Sequence, residues 1–72
     1  MLNFIINHNA QSNGDHEVHN ASTGCPYMPS PENQIKLGFY HSCHGAVAYA
    51  KQNWPAYRIN GCYYCCNACH TS

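Results

Sequence analysis

Residues 62–70 hold four of the chain's six cysteines and one of its six histidines. They form two Cys-x-x-Cys pairs back to back, Cys62 with Cys65 and Cys66 with Cys69, with His70 directly after. Four sulfurs and an imidazole are one donor more than one tetrahedral ion needs. The Gly61-Cys62-Tyr63-Tyr64-Cys65 turn puts two thiolates on one side of a bend whose amides stabilise their charge, which suits two of the four ligands of zinc. Adjacent residues of one turn cannot wrap all four vertices, so a second pair must come from elsewhere. His19 and Cys25 are its natural source. His16 or Cys69 can replace His19, and Cys66 and His70 are further alternates beside the knuckle. Cys43 falls on an apolar helix face and reads as a packed core thiol, with a disulfide as the competing reading.

Other motifs are weaker. His16-Glu17-Val18-His19 is one residue short of the HExxH helix that sets two histidines on one face of a metalloprotease site, and we read it as chance. A zinc deaminase needs His-x-Glu followed by Pro-Cys-x-x-Cys and a longer chain. A thioredoxin-like centre needs Cys-x-x-Cys at a helix start, whereas Cys62 follows Asn60-Gly61. His41 and His44 flank Cys43 and read as solvated residues. Asn20-Ala21-Ser22 is a formal glycosylation sequon, read as accidental for want of a signal peptide. No residue is assigned a catalytic role.

Seventy-two residues allow one small domain. A core of this size supplies about 3–5 kcal/mol unless disulfides, a metal or a partner add to it. The N-terminal apolar run is too short for a signal-peptide core or a membrane span. The sequence is therefore read as cytoplasmic, with reduced thiols and no membrane partner. Three basic residues (Lys36, Lys51, Arg58) stand against three acidic ones. With so few cations to neutralise phosphates, nucleic acid is disfavoured as a partner. Zero net charge leaves little colloidal repulsion, so a monomer or weak self-association is expected.

The elements that must position these ligands follow from pattern. Residues 1–15 read as an apolar N-terminal segment, able to add a strand, and a mobile polar loop, with the metal-binding domain over 16–72. Glu17 to His19 resume a short strand, and Pro26, Pro29 and Pro31 impose a stiff loop. Gln34 to Phe39 alternate with the period of a half-buried strand. Ser42 is the expected N-cap of a helix over about 42–53, with Cys43, Ala46, Val47, Ala50 and Trp54 on one face and Pro55 ending it. Asn60-Gly61 reads as a turn. The expectation is an α+β domain, a short antiparallel sheet and one helix closed by the C-terminal knuckle.

Over residues 17–66, the order His19, Cys25, a Pro-rich loop with Glu32-Asn33, a strand, a helix with Ala46-Val47, then Gly61-Cys62-Tyr63-Tyr64-Cys65 resembles the Ada-type metal-binding domain of methyl-phosphotriester repair proteins. It also resembles short uncharacterised bacterial Cys-rich proteins. The resemblance implies a zinc-stapled fold whose ligands are an early pair and a late Cys-x-x-Cys pair. It departs from the pattern in two ways: five residues separate His19 from Cys25 where the family has three, and His19 stands where the family has a cysteine. An imidazole cannot replace a methyl-accepting thiolate, so repair activity is not carried over. The sequence thus leads to a non-catalytic Zn2+ domain held by His19, Cys25, Cys62 and Cys65, serving as an interaction module for an unknown protein partner. The alternatives are a disulfide-stapled secreted domain without metal and a nucleic-acid-associated Ada-like module.

Overall fold

The computed structural model describes residues 1–71. Four strands form one sheet in the order β3-β1-β2-β4: β1 (Leu2–Asn7), β2 (Asp15–Asn20), β3 (Gln34–Tyr40) and β4 (Arg58–Gly61). One helix, α1 (Cys43–Asn53), joins β3 to β4. The α+β class is as expected, but the sheet is mixed. Strand β1 is antiparallel to both β2 and β3, whereas β4 lies parallel to β2, with Asp15 opposite Arg58 and Val18 opposite Gly61. A strand that returns through a helix arrives in the same direction as the strand it joins. β4 therefore lies parallel to β2 where the sequence reading had an antiparallel sheet.

Two further expectations change. Residues 1–15 are not a separate segment, because β1 is an inner strand and Phe4, Ile5 and Ile6 are buried to 2% exposure or less. The polar loop after β1 is held by turns: the Asp15 amide donates to Asn13 Oδ1 at 2.9 Å, Gly14 N to Gln11 O at 2.8 Å and Arg58 Nη1 to Asn13 O at 3.0 Å. Asn60-Gly61 is no turn but the end of β4. The Asn60 amide nitrogen donates to Asp15 Oδ2, and its carbonyl oxygen accepts from the Thr71 amide at 3.0 Å. A Cβ on Gly61 would stand 2.7 Å from Cys69 Cβ and 2.8 Å from Cys66 O, so the glycine serves close approach.

Helix α1 starts where expected, with Ser42 Oγ accepting from His44 N, and it buries Cys43, Ala46 and Ala50 against Phe4, Ile6, Val18 and Leu37. Trp54 caps it, bonding to Ala50 O at 2.9 Å, and Pro55 follows. Gly45 lies against Tyr40, whose Cδ1 would be 2.9 Å from an added Cβ. Tyr40 is half-buried against Phe4, its hydroxyl donating to Leu37 O at 2.9 Å, and so is not a free contact surface. Cys43 is a disulfide partner of Cys69, the competing reading, which removes Cys69 from the alternate ligands. No helix among the described residues is long and apolar enough to cross a membrane.

Candidate metal centre

The parallel pairing of β2 and β4 brings their C-terminal ends to one place, with Val18 opposite Gly61 and Cys62 N donating to Val18 O at 2.9 Å. His19 leaves the end of β2 and Cys62 the end of β4. Beyond β2, the Asn20 side-chain oxygen accepts from the amides of Ser22 and Thr23, an Asx-type turn. Gly24 follows at φ 74°, a backbone region that favours glycine, and the reversed chain delivers Cys25. Beyond β4, Cys66 N bonds to Cys62 O at 2.8 Å and closes the knuckle, bringing Cys65 back over Cys62.

The result joins four residues from three stretches of chain. One ligand atom each from His19, Cys25, Cys62 and Cys65 lies within 4.8 Å of all the others. Cys25 Sγ is 3.6 Å from Cys62 Sγ, and Cys65 Sγ is 3.5 Å from His19 Nδ1. Bond lengths of about 2.3 Å to sulfur and about 2.0 Å to nitrogen give a tetrahedron with edges of roughly 3.8 Å between sulfurs and roughly 3.5 Å between sulfur and nitrogen. The two observed edges are close to those values. His19 and Cys62 are each 1% exposed, while Cys25 and Cys65 are half-buried.

The surroundings prepare the thiols for negative charge. The nearby Cys65 and Tyr64 amides lower the Cys62 thiol pKa, and the Asn20 amide donates to Cys65 Sγ at 3.3 Å. Burial outweighs them in the absence of a cation, holding the Cys62 and Cys65 thiols above the ordinary range; neighbouring Cys66 and Cys62 add to the rise at Cys65. A bound dication reverses that balance, since it deprotonates a coordinating thiol outright. Burial pushes the His19 pKa down, keeping the ring neutral and its lone pair available. With Nδ1 turned to the sulfurs, Nε2 faces Glu17 Oε1 at 3.8 Å. That distance exceeds a hydrogen bond, but the carboxylate stands where an orienting partner of a metal-bound histidine belongs.

The other sequence candidates lie outside this group. His16 stacks on Tyr57 with ring centroids 3.9 Å apart, its Nδ1 3.1 Å from Asn7 O. His70 Nδ1 is 3.0 Å from Gly61 O, fastening the end of β4. Cys66 is buried beside the knuckle, its thiol pushed up to about 11 mainly by burial, and is not among the four. Sequence reasoning missed Glu17 and Asn20. The signal for Glu17 was the two-residue period of β2, which puts Glu17 and His19 on one face. Above the centre, Tyr27 stacks on Tyr64 at 4.6 Å and Tyr63 meets Tyr64 edge-on at 5.1 Å. With Glu17 and Cys62 these rings line a cavity of about 230 Å3. No family model, curated protein or solved structure matches this chain.

Proposed function

We propose that this chain is a small non-catalytic zinc domain whose His19, Cys25, Cys62 and Cys65 hold one structural ion, and that it works as a protein-interaction module. The observation that carries the reading is the convergence of those four ligand atoms within 4.8 Å from segments far apart in sequence. One imidazole and three thiolates suit zinc in preference to the hard, oxygen-seeking ions. Four protein ligands leave no open vertex, so the ion staples the fold and takes no substrate. From the Ada-type resemblance the reading keeps an early pair and a late Cys-x-x-Cys pair; methyl transfer is not part of it.

Interaction is supported by three tyrosines, Tyr27, Tyr63 and Tyr64, each more than half exposed and held by their mutual packing on the rigid knuckle. Such rings offer large contact area at small entropic cost. Three Lys and Arg side chains argue against a phosphate backbone as partner. The test is native mass spectrometry of the chain with its Cys43–Cys69 bond intact, titrated with zinc. One tightly held zinc per chain is expected, and none sinks the reading. The Cys43–Cys69 bond favours the second reading, a secreted disulfide domain. That reading requires Cys25, Cys62, Cys65 and Cys66 to be oxidised too, so thiol counting on the chelated, denatured and unreduced chain separates the two: four thiols for the zinc domain, none for the disulfide scaffold.

A further inference from the structure

Cys43 opens α1, Cys69 lies in the 3₁₀ turn Asn67–Cys69, and His44 follows Cys43 on the helix's exposed side. One ligand atom from each of these three residues lies within 4.8 Å of the other two. The disulfide keeps this cluster out of metal chemistry, because a sulfur in a disulfide has no proton to lose and no thiolate charge to give. We propose that the Cys43–Cys69 bond masks a second zinc site, formed by Cys43, Cys69 and His44 when the bond is reduced. The inference is independent of the closed centre, since it shares no ligand with it.

The chemistry balances with a dithiol as reductant. The dithiol gives two electrons and two protons and closes to its own disulfide, while the Cys43–Cys69 bond breaks to two thiols. Zinc binding then releases those two protons and leaves two thiolates and a neutral imidazole on the ion. Placement favours the thiolate at Cys43, the first residue of an eleven-residue helix, where the positive end of the helix dipole stabilises negative charge. Ser42 Oγ lies 3.3 Å from His44 Nδ1, a contact able to orient the ring. Three protein ligands leave one vertex vacant, as catalytic and exchangeable zinc sites do. A cavity of about 350 Å3 lined by His44, Cys69, Val47 and Lys51 adjoins the cluster and gives that vertex access to water or a small anion. In a reducing compartment the same chain would then carry two ions of different kind, one enclosed and one exchangeable.

The experiment titrates the full chain with zinc alone, without oxygen, before and after reduction by a phosphine, and counts ions by native mass spectrometry. We expect one zinc with the bond intact and two after reduction. The paired Cys43→Ser, Cys69→Ser variant should hold one zinc in either case, and His44→Ala, an exposed change, should weaken the second zinc at least tenfold. Cys66→Ser should keep both. The inference is overturned if the reduced chain stays folded by circular dichroism and binds one zinc, if it unfolds on reduction despite excess zinc, or if the double serine variant still takes two. Absence of zinc from the bond-intact chain defeats only the closed centre; a zinc gained on reduction and lost in the double serine variant still supports the masked site.

Discussion

At the scale of single residues, the knuckle sets two adjacent cysteines, Cys65 and Cys66, in opposite roles. Cys65 Sγ faces His19 Nδ1 and takes the Asn20 amide, whereas Cys66 is buried as a protonated thiol. Cys62→Ser and Cys65→Ser should therefore abolish tight zinc binding while Cys66→Ser leaves it; zinc lost from the Cys66 variant and kept in the Cys65 variant would show that the assignment is reversed. Glu17→Gln keeps the shape but removes the charge behind His19, and a fall in zinc affinity of about 10–100-fold is expected by competition with a chromophoric chelator. Unchanged affinity would make Glu17 an ordinary buried acid. That His19 and Cys25 would approach the Cys62-x-x-Cys65 turn was legible because paired thiols and an imidazole have few other uses in a small chain. Glu17 was not legible as an outer partner, because its role depends on which face β2 presents. The pairing of Cys43 with Cys69, 26 residues apart, rests on where α1 docks, and spacing does not encode that.

Among the elements, α1 and β3 were readable from periodicity and from the Ser42 and Pro55 signals, and β4 was not. Asn-Gly is a turn signal when its side chain and backbone freedom are used locally; here Asn60 spends its amide on Asp15 and Thr71, and Gly61 spends its missing Cβ on Cys66 and Cys69. Tertiary contacts outcompeted the local preference. Gly61→Ala should therefore cost about 1–3 kcal/mol or more, because backbone as well as side chain must give way, and urea denaturation of the zinc-loaded chain reads it. At Gly45 two effects oppose each other. Alanine gains about 1 kcal/mol of helix propensity, but its Cβ meets Tyr40 Cδ1 at 2.9 Å, with the ring root, Cγ and Cβ, at 3.4 and 3.5 Å. That root is fixed by the Tyr40–Leu37 bond and the Phe4 contact, so overpacking at about 1–3 kcal/mol should win. A stabilised Gly45→Ala chain would mean that Tyr40 swings aside freely.

For the whole molecule, the balance lies between a small core and its staples. Among the described residues, ten buried apolar side chains, two of them alanines and three of them cysteines, make a core too small to be secure alone. Zinc at a structural site contributes apparent energies of roughly 10–16 kcal/mol in peptides. A strong chelator should therefore unfold the zinc-loaded chain even with Cys43–Cys69 intact, seen as loss of far-ultraviolet dichroism; retention of the full signal would assign the fold to core and disulfide. The same linkage fixes the pH dependence. In the zinc-bound fold His19 is neutral and the three ligand thiols are deprotonated, whereas unfolded groups take up protons near their reference values, about 8.5 for thiols and about 6.5 for imidazole. The unfolded state then binds more protons, so stability falls as pH falls. Burial lowers the His19 pKa in the fold even without metal, which places its share of the loss below about 6.5 and down through that lowered value. Glu17 acts in the opposite sense, since its carboxyl is raised, chiefly by burial, and favours the fold as pH drops toward its unfolded value of about 4.5. At fixed total zinc, the urea midpoint should already decline strongly below about pH 8.5, as three unfolded thiols take up protons, and somewhat more strongly below about 6.5, where His19 adds a fourth. A midpoint unchanged between pH 8 and 5 would mean that no thiolate and no neutral His19 holds this fold together.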